Sequence, residues 1–204
     1  MNETLKRALS GFVYVAIMWF GTSSSDTSKY ILFSVITIIS TYEMWKLRKG
    51  KSITFHYFYV WALMLALFLE VEILLFIYLL TWTFDTFAYL FGVKFGKHKI
   101  MPSISPKKSW EGFIGGLLAT LIASYIIYNL NFLEGIDLVS LIIIAFILPF
   151  TATLGDFIES HLKRQAGVKD SGNFIPGHGG MLDRMDAFMI TIPIIYIYIL
   201  TNLF

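Results

Sequence analysis

Polar and apolar positions along this chain fall into blocks. Long apolar runs occupy 73–90, 112–130, 138–154 and 187–200, each near the ~20 residues that cross a bilayer as a helix, and shorter runs precede them. The strict two-residue alternation of a membrane β-barrel is absent. The pattern predicts an all-α, polytopic membrane bundle of about seven helical spans, at 8–21, 30–46, 55–69, 72–92, 112–131, 138–162 and 185–203. The third is short, separated from the fourth only by Glu70-Val71-Glu72. Lys6 and Arg7 precede an apolar stretch, but Gly21-Thr22-Ser23 offers no small-x-small cleavage site, so 8–21 reads as a retained span.

Composition strengthens this picture. The 204 residues are 56% hydrophobic and 15% charged, against roughly 25% charged in ordinary soluble domains. With no cysteine, disulfides, thiolate metal sites and cysteine nucleophiles are excluded.

Charge distribution then sets the topology. With the N-terminus cytoplasmic, seven spans place every one of the sixteen Lys and Arg residues except Lys29 on the inner side, while Asp26, Glu70, Glu72, Glu134 and Asp137 fall outside. Cytoplasmic loops are enriched in Lys and Arg, and dropping the third span would destroy the segregation. Two inner loops are long: GVKFGKHKIMPSISPKKSWE at 92–111 and KRQAGVKDSGNFIPGHGGMLD at 163–183. We find no repeat or separate soluble domain, so 1–204 reads as one membrane domain: N-terminal spans in 1–70, and spans 71–204 carrying the two loops where chemistry belongs.

Acidic residues gather at the inner span ends: Asp85, Glu111, Asp156, Glu159, Asp183 and Asp186. Ionisable groups in or beside membrane helices are functional candidates by default. Asp183 and Asp186 share a helical face, as do Asp156, Glu159, Ser160 and Lys163. Two such faces meeting would make an oxygen-rich pocket suited to Mg²⁺. Asp183 alone also fits a helix N-cap, worth about 0.5–2 kcal/mol; capping explains Asp156 and Asp186 less well. Lys107 and Lys108 after Ser105-Pro106, and Lys163, Arg164 and Lys169 around a glycine-rich turn, could hold phosphates, although cytoplasmic topology alone accounts for other lysines. Gly177, Gly179 and Gly180 permit close backbone approach or form a flexible turn. His178 could be a base, a phosphate donor or a structural turn residue. Together these residues suggest a metal and phosphate site at the cytoplasmic face, open to lipid.

The run Ser160-His161-Leu162-Lys163-Arg164, Lys169-Asp170-Ser171-Gly172 and Pro176-Gly177-His178-Gly179-Gly180-Met181-Leu182-Asp183-Arg184-Met185-Asp186 resembles the signature of the phosphatidate cytidylyltransferases, the CDP-diacylglycerol synthases. The stretches around Asp85-Thr86-Phe87-Ala88-Tyr89, Phe95-Gly96-Lys97, 105–112 and 155–160 also look like that family's blocks. The resemblance covers about 82–190. Members are commonly longer at the N-terminus, so the first part looks trimmed beside them, and Phe87 stands where glycine is common.

The resemblance implies a CTP-dependent nucleotidyltransferase of phospholipid biosynthesis: CTP plus phosphatidate giving CDP-diacylglycerol and pyrophosphate. It further implies Asp156, Asp183 and Asp186 as metal ligands for Mg²⁺, with a second cation such as K⁺ as an option, and Lys163 in catalysis. Lys107, Lys108, Ser160, Arg164, Lys169, His178 and Arg184 would bind substrate. A homodimer in the cell (inner) membrane with a cytoplasmic active site is expected, and no nucleic-acid partner. A small cation or proton transporter, or an enzyme for a different lipid acceptor, are the alternatives; a transporter would usually show paired repeats and midplane sites.

Overall fold

The computed structural model describes residues 3–49, 54–177 and 179–202. Within them lie helices α1 (Glu3–Ser23), α2 (Asp26–Leu47), α3 (Thr54–Trp61), α4 (Val71–Phe95), α5 (Trp110–Asn129), α6 (Leu138–Gln165) and α7 (Leu182–Asn202). A 3₁₀ segment, Ala62–Phe68, continues α3, and strands β1 (Lys99–Met101) and β2 (Ser105–Ser109) separate α4 from α5. The chain is an all-α membrane protein, with α4, α5, α6 and α7 long and apolar enough to cross a bilayer. Shorter apolar stretches lie at Leu9–Ser23 and His56–Phe68.

Helix ends follow local chemistry. Ser25 and Ser28 form a reciprocal capping box before α2, and the Ser109 side chain accepts the Gly112 amide at the start of α5. Asp137 caps α6, accepting from the Ser140 hydroxyl at 2.7 Å and its amide at 3.0 Å. Those bonds hold its carboxyl below the usual aspartate range.

The polar and apolar pattern locates the helices within a few residues but misses two features. The expected loop 92–111 is shorter, because α4 runs on to Phe95 and a two-stranded antiparallel hairpin pairs Lys99 with Ser109 and Met101 with Ser105. Pro102, Pro106 and five lysines between 94 and 108 hide the strand alternation. The expected third span is half 3₁₀ helix. At about 2.0 Å rise per residue against about 1.5 Å for α-helix, Thr54–Trp61 and Ala62–Phe68 together reach about 26 Å, more than 15 α-helical residues would.

The core joins both halves of the chain. Phe33, Ile36 and Met44 of α2 and Leu63 and Ala66 of the 3₁₀ segment are buried in it. So are Leu74, Phe76 and Ile77 of α4, Leu141, Ile144 and Leu148 of α6, and Met185, Met189 and Ile192 of α7. Helices α4 and α5 meet along Gly112 and Gly116, where a Cβ would strike the Ala88 carbonyl or the Phe84 ring; small residues four apart allow such close helix approach in membranes. Side-chain contacts also sort the ends of the bundle. Arg48 donates to the Gln165 side chain at 3.1 Å and Ser10 to the Pro176 carbonyl at 2.8 Å at the end carrying both long connections, whereas Lys29 donates to the Leu69 carbonyl at the other.

Candidate functional site

Helices α6 and α7 come backbone to backbone at Gly155, where a Cβ would collide with the Asp186 carbonyl oxygen. The Tyr59 hydroxyl of α3 donates into this crossing, 2.9 Å from the Gly155 carbonyl oxygen and 3.2 Å from that of Asp186. The next residues around the crossing are acidic. Asp156, Glu159 and Asp186 each offer a carboxylate oxygen, all within 4.8 Å of one another. Glu159 is fully buried; its Oε2 forms an ion pair with Lys163, and its Oε1 has no hydrogen-bond partner among the described residues. The Ser160 hydroxyl donates to Asp156 Oδ1 at 3.0 Å, and Lys108 reaches from β2 to pair with Asp156 Oδ2.

A buried carboxylate oxygen without a donor is costly, and here it belongs to a group of hard oxygen donors of the kind that bind Mg²⁺. Formal charge points the same way. Asp156, Glu159, Asp186 and the adjacent Asp183 face Lys108 and Lys163, four carboxylates against two ammonium groups. The residues present fit a divalent cation.

Asp183 sits differently from the other three. Its Oδ1 accepts from Lys163 Nζ at 2.6 Å, and its Oδ2 accepts from the Gly180 amide at 2.7 Å and the Ser171 amide and hydroxyl, both at 2.9 Å. Lys163 therefore links Asp183 to Glu159. Beside it, the buried Glu43 of α2 accepts from the amides of Met181 at 3.1 Å and Leu182 at 2.8 Å and lies 3.1 Å from the Ser171 hydroxyl, whose single proton serves either Glu43 or Asp183. Glu43 thus caps α7 from another helix, taking amides that no intrahelical carbonyl can. Gly180 makes room: a Cβ there would overlap the Ser171 hydroxyl and crowd Glu43.

Sequence reading passes over Glu43, although a carboxylate inside an apolar span is the signal that could have found it. It puts Glu159 among the acidic residues and on the right face, but not among the expected metal ligands.

The basic candidates separate. Lys107 and Lys108 on β2 line a cavity of about 620 Å³ with Lys99, Asp85, Tyr89 and Phe113. Arg184 lines a second cavity, of about 780 Å³, between α1, α4 and α7, and Asp85 belongs to the walls of both. Lys169 is exposed on the loop after α6, and Arg164 donates to the Val168 carbonyl at 3.2 Å, closing the end of α6. Neither lines either cavity. His178 lies outside the described residues. Glu111 accepts from the amides of Lys97 and His98 and pairs with the His98 ring at 2.6 Å, fastening the hairpin to the start of α5.

Fold and site thus define a helical membrane protein with a group of carboxylates and the lysines paired with them at one end of its bundle. The sequence of residues 69–202 matches the Cytidylyltransferase family, and the chain belongs to that family. It is similar to the phosphatidate cytidylyltransferase of Staphylococcus saprophyticus, 48% identical over 128 residues, covering 62% of this chain and 48% of that protein. That of Staphylococcus haemolyticus is 45% identical over 132 residues, covering 62% and 48%, and that of Staphylococcus aureus strain COL 46% over 130 residues, covering 63% and 49%. The chain spans about half the length of the curated relatives it matches.

Proposed function

We propose that this protein transfers a cytidylyl group from CTP to phosphatidate, giving CDP-diacylglycerol and pyrophosphate. The observation that carries the reading is the convergence of Asp156, Glu159 and Asp186 beside Lys108 and Lys163 in a chain of this family. A phosphatidate oxygen attacks the α-phosphorus of CTP and the bond to the β-phosphate bridging oxygen breaks, so pyrophosphate leaves. Such transfer depends mainly on positioning and on neutralising charge.

Asp156, Glu159 and Asp186 would hold Mg²⁺, which when bound neutralises phosphate oxygens as charge shifts toward the leaving group. Lys108, paired with Asp156 in the structure, would be available to a phosphate with that carboxylate engaged by a cation. Lys163, held between Glu159 and Asp183, keeps its ammonium at a fixed place beside the reacting groups. Ser160 orients Asp156. Asp183 works through Lys163 and the loop. Lys107, exposed at the rim of the hairpin cavity, meets the outer phosphates.

The reading places this end of the bundle at the cytoplasmic face of the cell membrane, where soluble CTP meets a membrane lipid, with seven spans and a second copy of the chain as partner. Support comes from the basic residues around both long connections. The absence of cysteine makes sidedness directly testable: Ser103→Cys should react with an impermeant maleimide only from the cytoplasmic side, and Glu134→Cys only from the other.

The reaction is tested by incubating detergent-purified protein with phosphatidate and CTP labelled in the α-phosphate, with and without Mg²⁺. Label entering the organic phase with release of pyrophosphate, only when Mg²⁺ is present, is the expected result. Folded protein that labels no lipid across several phosphatidates would overturn the reading.

A further inference from the structure

Asp156 and Glu159 stand on α6 and Asp186 on α7, so the carboxylates of the proposed cation site come from two separate helices. The width of that site is therefore the spacing of the helices. Mg²⁺ is exacting about it, taking ligand oxygens at about 2.0–2.1 Å in near-octahedral geometry. Three carboxylates whose oxygens lie within 4.8 Å of one another also repel, and the repulsion acts to part α6 from α7.

Contact at Gly155 limits how close the helices come, because there the backbone of α6 already meets the Asp186 carbonyl. Contact does not stop them opening. The Thr151 and Thr191 hydroxyls, 2.8 Å apart, join the two helices one turn before Gly155, and Lys163 joins the side chains of Glu159 and Asp183 beyond it. Tyr59 stands between these ties. Its hydroxyl oxygen is 2.9 Å from the carbonyl oxygen of Gly155, the residue before Asp156, and 3.2 Å from that of Asp186 itself. One proton thus serves two carbonyl oxygens on different helices. Tyr59 is only 5% exposed, so water offers the carbonyls little in its place. Its backbone is anchored: Val60, Leu63 and Ala66, which follow it on α3 and the 3₁₀ segment, are fully buried, and that segment packs against α7.

We propose, building on the cation site read above, that Tyr59 is a positioning residue for that site. Its hydroxyl fixes the opening between α6 and α7, and with it the distance at which Asp186 faces Asp156 and Glu159. It acts through the main chain at the carboxylates and not on the substrates. Groups that orient metal ligands from behind typically carry about 10–100-fold in metal affinity. Helix α3 lies outside residues 69–202, so the spacing is set by a part of the chain to which the family match assigns nothing.

The test uses the full chain purified in detergent, without nucleotide or lipid, and follows its unfolding temperature by tryptophan fluorescence as Mg²⁺ is added. The rise gives a dissociation constant for Mg²⁺, since a ligand of the folded state stabilises it by mass action. Tyr59→Phe, which removes the hydroxyl and leaves the ring, should raise that constant about tenfold. With 4-aminophenylalanine at position 59, whose two N–H groups restore a donor for each carbonyl, it should return to within about threefold of the wild type. Thr120→Val is the comparison: it removes a hydroxyl that donates from α5 to the Ala145 carbonyl of α6, and should lower the unfolding temperature without changing the constant. A constant unmoved by Tyr59→Phe, equally raised with the amino group in place, or equally raised by Thr120→Val would overturn the role of Tyr59 and leave the cation site standing. Wild-type protein that Mg²⁺ does not stabilise would remove the cation site, and the role of Tyr59 with it.

Discussion

Two acidic regions lie side by side at one end of this bundle, and they are built in opposite ways. Around Asp183 and Glu43, every carboxylate is met by donors: backbone amides of Ser171, Gly180, Met181 and Leu182, the Ser171 hydroxyl and Lys163. Around Asp156, Glu159 and Asp186, oxygens converge while Glu159 Oε1 finds no donor among the described residues. The first region is complete as protein and holds a loop and a helix end in place. The second, on the proposed function, is complete only with a cation. Counting donors on each oxygen distinguishes scaffold from chemistry where residue type cannot, since both regions are made of the same carboxylates.

Substitutions can break that comparison. The largest effect is expected at the converging group: Asp186→Asn or Asp156→Asn should lower turnover by about 10³-fold or more, with an unfolding temperature that does not fall, measured by lipid labelling and tryptophan fluorescence. Asp183→Ala should instead leave the Ser171 and Gly180 amides without an acceptor and Lys163 with Glu159 alone, losing about 2–5 kcal/mol of stability in denaturation from mixed micelles; a loss under about 1 kcal/mol would erase the distinction. Third, Mg²⁺ at a hundred times its dissociation constant should stabilise the wild-type protein by about 2.7 kcal/mol, an increment that vanishes in Glu159→Gln and survives in Glu43→Gln. The smallest effect is expected at Glu43→Gln itself, about 1–2 kcal/mol, because the one amide oxygen keeps either the Met181 or the Leu182 amide, which donate to different oxygens of Glu43, and leaves only the other without an acceptor.

The sequence makes much of this visible, for reasons that can be traced to particular residues. Helices α4 to α7 announce themselves because lipid demands uninterrupted apolar runs. Asp156, Glu159, Ser160 and Lys163 can be placed on one face because helical spacing alone decides it, and the structure brings Asp186 to that face. What spacing cannot decide is which of two carboxylates one turn apart, Asp183 or Asp186, joins Asp156 and Glu159 and which is taken up by Lys163 and the loop before α7. That choice depends on Gly180 and on Ser171, the latter twelve residues before Asp183 and outside any helical spacing. Glu43 is hidden for a related reason: its partners lie more than a hundred residues further along the chain, and no local signal carries such a distance. The hairpin escapes because prolines and lysines break the alternation that marks a strand.

The crossing at Gly155 has a mechanical consequence. Spanning helices change tilt as bilayer thickness changes, and a tilting rod moves least at its fulcrum. Here backbone lies against backbone, clasped by Tyr59, so α6 and α7 share a fulcrum one residue from Asp156 and at Asp186 itself. Thickening or thinning of the membrane would swing their far ends, near Leu138 and Asn202, while the spacing of the carboxylates stays nearly constant, which insulates the chemistry from the composition of the membrane it would help to build.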